Sequence, residues 1–239
     1  MINIYLLNKL NLFYFNFKNK ISNIYKNSNF YEKKISKTYN NNFEYKPSPH
    51  LLSSIIKYQK KKYKVEDFAL DSIWQNNNKS KDFDKLNNFF WFFSLDLKSS
   101  KKIVQTLIYK WISNNYKHND KTWDFDLTSK RIISWLSNHQ LTYEGGDNEY
   151  IVKFNFFIQK QTNHIINEIK NSNEFENKMI GCAAIILTGL SYQNNKNYLN
   201  NGLNFLKKII KASIDSQGFP KSRNIKQLIF YLKYLIIIR

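Results

Sequence analysis

Arg131, Arg223 and Arg239 are the arginines of a chain whose other basic residues are all lysines. A guanidinium presents five donors in a planar fork that fits a carboxylate or sulfate, whereas lysine is a point charge. Arg131 lies in a Trp/Ile-bearing segment, 130–136. It therefore has either an external anion to grip or a buried carboxylate, Asp124 or Asp126, to pair with. The histidines are His50, His118, His139 and His164. None has a partner at metal-ligand spacing such as His-x3-His, so no metal site is expected. His139 follows the Trp135 segment, either at a cleft edge or at a solvated helix end. His164, between Gln161 and Glu168, reads as part of a polar helix face. Asp124 and Asp126 flank Phe125, which suits a helix cap better than acid–base chemistry. The single cysteine, Cys182, excludes a disulfide framework and a thiolate zinc cage. Inside Gly181-Cys182-Ala183-Ala184 it reads as small-residue packing. Trp91, Trp111, Trp123 and Trp135 read mainly as core, with one or two facing a cleft.

The elements that must position these groups follow from composition and pattern. The chain has 239 residues, 42% hydrophobic and 17% aromatic, enough for a large core. Its net charge is +19. With arginine so scarce, that charge reads first as a solvated lysine surface; nucleic acid, whose bases arginine reads best, is the less expected partner, and net charge alone does not separate a phosphate-binding stripe from attraction to an acidic polysaccharide. No run of 18 apolar residues occurs, so no transmembrane segment is expected. Asn3, Asn8, Lys9, Asn11 and Asn16 break up the N-terminal segment, so no secretory signal is visible. The compartment stays open between cytoplasm and periplasm. Residues 2–17 suit an amphipathic helix, expected to pack on the body of the protein rather than on a membrane surface.

Residues 1–80 read as a poorly defined N-terminal segment with one or two helices. The run 18–42 shows no period, although its tyrosines can anchor it. A short helix is expected over 51–58, a strand or irregular segment over 68–74 and a loop over 76–80. From residue 81 the text is helical. Asp82 caps a helix bearing Phe83, Leu86, Phe89, Phe90 and Phe93. Ser99 or Ser100 opens the next, with Trp111 on its inner face. Thr128 opens a third, and long helices follow over 148–169, 175–190, 196–213 and from Asn224 onward. Short turns at Gly145-Gly146, Asn194-Asn195 and Gln217-Gly218 favour antiparallel helical hairpins. Gly181 and Gly189 let neighbouring helices approach closely. The fold class is all-α.

Four local patterns then occur in order. Leu86-Asn87-Asn88-Phe89-Phe90-Trp91-Phe92 precedes Leu95. Trp111-Ile112 precedes Trp123. Lys130-Arg131-Ile132-Ile133-Ser134-Trp135-Leu136 follows, and then Ser216-Gln217-Gly218-Phe219-Pro220-Lys221-Ser222-Arg223-Asn224. Together, over about 70–239, they resemble heparinase II/III-like polysaccharide lyases. The resemblance implies an incomplete (α/α) toroid over 81–239, followed in that family by an antiparallel β domain, so the chain is expected to be truncated at its C-terminus. It implies an acidic polysaccharide as partner, cleaved at uronate residues by β-elimination, with no cofactor. A donor neutralises the carboxylate, a base takes the C5 proton and an acid protonates the leaving oxygen. The Tyr-His pair that often follows the glycine turn is absent from 223–228, so no catalytic residue is assigned. Arg131, Arg223, Trp135, His139 and Asn88 are the expected substrate contacts. The chemistry is expected to need a C-terminal β domain or a separate chain. A non-catalytic all-α scaffold or polyanion-binding module is the alternative.

Overall fold

The computed structural model describes residues 4–39, 43–47, 55–56, 64–67, 81–172, 174–192 and 196–238, and among them helix packs on helix. The helices are α1 (Ile4–Lys26), α2 (Asn29–Ile35), α3 (Lys81–Asn87), α4 (Lys101–Asn114), α5 (Phe125–Ser137), α6 (His139–Thr142), α7 (Asn148–Glu168), α8 (Phe175–Ser191), α9 (Lys196–Ser213) and α10 (Ile225–Ile237). No strand occurs among the described residues, where Ile214 and Pro220 form an isolated bridge. The all-α reading is correct.

Side-chain caps set five helix starts among the described residues. Ser28, Ser100, Asp124, Asp147 and Asn224 each accept a hydrogen bond from a backbone N–H of the first turn they precede. Asp124, not Thr128, opens α5, because its carboxylate takes two orphan N–H groups, of Asp126 and Leu127. Thr128 sits inside the helix with its hydroxyl on Arg131. Asp82 also lies within its helix, since α3 begins at Lys81.

A single helix through Phe93 does not form. α3 stops at Asn87, Phe89 adopts a left-handed backbone (φ 57°), and Phe90–Ser94 continue as a 3-10 turn. Phe89, Phe90, Trp91, Phe92 and Phe93 are all buried. Five consecutive aromatics cannot share one face of an α-helix, so the chain turns to send them in different directions. The Phe89 carbonyl accepts from the Ser134 hydroxyl of α5 (2.6 Å), which pins the break.

α8 is the hub and packs on α5, α7, α9 and α10. It is buried on all sides over Met179–Gly189 because it is apolar all round. Thr162 on α7 bonds Thr188, and Asn155 on α7 accepts from Tyr192 just after α8, so α7 and α8 run antiparallel. α9 runs back along α8. A Cβ on Gly189 would lie 2.5 Å from the Leu199 backbone nitrogen, and one on Gly181 2.4 Å from the Phe125 ring. Both helix approaches therefore depend on glycine, as the sequence suggests.

The N-terminal region differs from expectation. Residues 18–35 are largely helical, and Tyr31 and Ile35 of α2 are fully buried against the body. Among the described side chains of α1, Leu10, Phe13, Phe17, Ile21 and Ile24 are exposed rather than packed there. Of the expected helix over 51–58, Ile55 and Ile56 alone are described, with Ile56 buried. The segment 68–74, the loop 76–80, Asn194-Asn195, His50 and Arg239 lie outside the described residues.

Candidate functional site

Arg131 occupies the centre of the core with no exposed surface. Its Nε donates to Gln161 Oε1 (2.6 Å), and one Nη to the Asn87 carbonyl (2.8 Å). The other Nη donates to the Thr122 carbonyl (3.1 Å) and Thr128 Oγ1 (3.0 Å). The guanidinium lies 4.0 Å from the centre of the Trp111 ring. It thus closes the C-terminal end of α3, where a cation opposes the helix dipole, and ties the loop before α5. Neither acid expected as its partner bonds to it: Asp124 caps α5 and Asp126 pairs with Lys130. Burial holds the Arg131 pKa well below the usual guanidinium value, opposed by Asp124.

Trp135 is also fully buried, with its ring 5.2 Å from Phe89 and 5.7 Å from Trp111. Its Nε1 has no partner among the described residues. Trp91, Trp111 and Trp123 are buried as well, so none of the four faces a cleft. Asn88, half-buried just beyond α3, uses its side-chain oxygen to accept from the Phe90 backbone N–H. His139 is buried rather than solvated: Phe43 covers its ring, and Nε2 lies 3.5 Å from Glu144. Burial lowers its pKa despite Glu144. Arg131, Trp135, Asn88 and His139 therefore form no shared ligand surface. The Asn87–Phe89, Trp111 and Arg131–Trp135 stretches converge on one packing point instead.

A second buried polar cluster joins α2 to α7. His164 is a core residue, not part of a polar face. Its Nε2 lies 2.7 Å from the Trp123 carbonyl, which only accepts, so Nε2 carries the proton. Nδ1 then accepts from the Tyr31 hydroxyl (2.7 Å). Burial, with His118, pushes the His164 pKa far down and keeps the ring neutral. One ring away, Lys160 is fully buried, ion-paired with Glu32 and bonded to the Tyr116 carbonyl. Its ammonium sits 4.2 Å from the Tyr116 ring centre and 5.4 Å from that of Trp123. Sequence reading missed this cluster. The lysine and histidine sit four apart on one helix, but their side-chain partners Glu32 and Tyr31 lie more than a hundred positions earlier, and the Tyr116 and Trp123 carbonyls come from a different part of the chain again.

The groups that reach solvent lie elsewhere. Arg223 has a left-handed backbone (φ 58°) and a side chain 68% exposed. It pairs with Asp215 (2.7 Å) across a turn closed by Gly218 (φ 84°), and Asp215 also accepts from the Gln217 and Phe219 N–H groups. Those bonds and Arg223 hold the half-buried Asp215 below the usual carboxylate range. The Cys182 thiol donates to the Gly202 carbonyl, and burial pushes its pKa up to about 12, so it is unreactive packing.

Two surface clefts differ sharply in charge. One, of about 610 Å³, is lined by Asp84, Asp120, Asp124 and Asp126 with Lys121. No group of three or more His, Cys, Asp or Glu among the described residues has the geometry to hold a metal. The other, of about 340 Å³, lies where α7 ends and α8 and α9 meet. Lys170, Lys178 and Lys208 rim it, Phe175 and Phe205 line it, and no carboxylate is among its lining residues. The Lys178 ammonium is 5.8 Å from the Phe175 ring centre, and that ring is partly exposed. These lysines come from the turn after α7 and from α8 and α9, so no sequence motif announces them.

No family model, curated protein or solved structure matches this chain.

Proposed function

We propose that the chain is an acidic-polysaccharide-binding helical domain, the toroid part of a heparinase II/III-like lyase. In this reading the hairpins α7–α8 and α8–α9 belong to an incomplete (α/α) toroid. The observation that carries it is the lysine-rimmed groove with its aromatic lining. Sugar rings stack on an exposed aromatic face while ammonium groups meet carboxylates or sulfates, and the overall charge of +19 draws a polyanion to the surface. Arg223 adds an exposed cation at the turn that follows α9. Among the described residues the side chains of His118, His139 and His164 are buried, so in this reading they take no part as acid or base and the described surface supplies the grip. The base and acid of a β-elimination come from a β domain or a separate chain.

The test is calorimetric titration of the full chain with heparin and with alginate at several salt concentrations. Binding that weakens with salt is expected. Lys170→Ala/Lys178→Ala/Lys208→Ala should lower affinity about tenfold or more, and Arg223→Ala by less. No binding to either polymer, or a triple variant that binds like the parent, sinks the reading. The burial of Arg131 and Trp135 favours a second reading, a polyanion-binding module without lyase chemistry. Ultraviolet detection of unsaturated uronate in the complete assembly separates the two.

A further inference from the structure

We propose that α1 is a membrane-docking helix that lays its apolar face into a bilayer bearing anionic headgroups. Leu10, Phe13, Tyr14, Phe17, Ile21 and Ile24 are each more than half exposed. At 3.6 residues per turn they share one arc of about 100°. Lys9 and Lys20 border that arc on one side and Lys18 on the other, all three exposed. Among the described side chains of α1, Leu12 lies outside it and Tyr25 just beyond its edge, both exposed. The 23-residue helix carries Lys9, Lys18, Lys20 and Lys26 and no acidic residue. Lys26 is engaged by Glu168 (2.6 Å) at the junction with the body, which anchors the helix at one end.

Lysines on both borders of an apolar arc are what a helix lying in the membrane plane needs. The aliphatic stems extend the apolar face and the ammonium groups reach up to lipid phosphates. Aromatic rings suit the boundary between headgroups and acyl chains. A spanning role does not fit, because no helix among the described residues is long and apolar enough to cross a bilayer. Self-pairing through α1 would bring like-charged lysine borders of two copies together, in a chain already at +19. Charge complementarity therefore selects an anionic lipid surface as the occupant.

The experiment is flotation of the full chain with vesicles of phosphatidylglycerol and phosphatidylcholine in equal parts, against phosphatidylcholine alone. The mixed vesicles should carry the protein and the neutral ones should carry far less. Phe13→Asp/Phe17→Asp alters two exposed residues, leaves the body folded by circular dichroism, and should reduce flotation about tenfold or more. Lys9→Glu/Lys18→Glu/Lys20→Glu should abolish the preference for anionic lipid. Three results overturn the proposal: no flotation with the mixed vesicles, unchanged flotation of the Phe13/Phe17 variant, or a parent chain that sediments as a dimer which that variant dissolves. Groove binding of polysaccharide involves none of these residues, so the two proposals fail independently.

Discussion

Replacing Arg131 by alanine tests whether this residue holds the fold together or waits for a ligand. The guanidinium satisfies four acceptors: the Gln161 and Thr128 side chains and the carbonyls of Asn87 and Thr122. Each buried acceptor left without a donor costs about 1–3 kcal/mol, and the lost contact with Trp111 adds about 1–2 kcal/mol. Summing these overstates the effect, because side chains relax and water enters. Breaking a buried charged network typically costs about 3–5 kcal/mol, a large share of the roughly 5–15 kcal/mol that holds a domain folded. We therefore expect Arg131→Ala to lose about 4 kcal/mol. Arg131→Lys, which keeps the charge and loses the fork, should lose about half as much. Urea unfolding followed by tryptophan fluorescence measures both, since Trp111, Trp123 and Trp135 are all buried. An Arg131→Ala variant within about 1 kcal/mol of the parent, at an unchanged m value, would refute the structural role. A folded, stable variant that had lost polysaccharide affinity would move Arg131 back to the ligand.

Stability should fall as pH drops through the imidazole range. His164 is held neutral by burial, so its folded pKa lies below the unfolded value of about 6.5. The unfolded chain therefore takes up a proton first: stability is full above about pH 6.5 and falls by up to about 1.4 kcal/mol per pH unit below it. His118 and His139 are lowered too and add in the same direction. Urea midpoints between pH 7.5 and 5 that stay level, with His164→Asn equally level, contradict this. In the second buried cluster, Glu32→Gln strands the Lys160 ammonium and should destabilise the chain by about 3–5 kcal/mol. Glu32→Gln/Lys160→Met removes the stranded charge and should recover much of that loss. A thermal-melt double-mutant cycle in which the double variant is no better than the single one argues against the pairing.

Much of the fold was legible because it is written locally. The apolar spacing over 148–169 and 196–213, and the cap at Asn224, are read within one or two turns of chain, and α7, α9 and α10 follow them closely. α3 failed by the same logic. The aromatic run looked like one continuous helix until burial of every ring forced the break at Phe89. The expected substrate contacts were least legible. Residue type made Arg131, Trp135 and His139 eligible for binding, but only burial shows which eligible residues meet solvent.

The sequence by itself determined the all-α class, most helix limits, the strong positive charge and the close-packing role of Gly181 and Gly189. Those properties depend on neighbours within a few residues or on composition. Tertiary structure alone decided that Arg131 faces protein acceptors, that Glu32 and Tyr31 reach Lys160 and His164, that Lys170, Lys178 and Lys208 rim one groove, and that the apolar arc of α1 stays uncovered. Each depends on which helices lie side by side. A helix has the same periodicity whether its apolar face meets a core, a partner or a lipid surface.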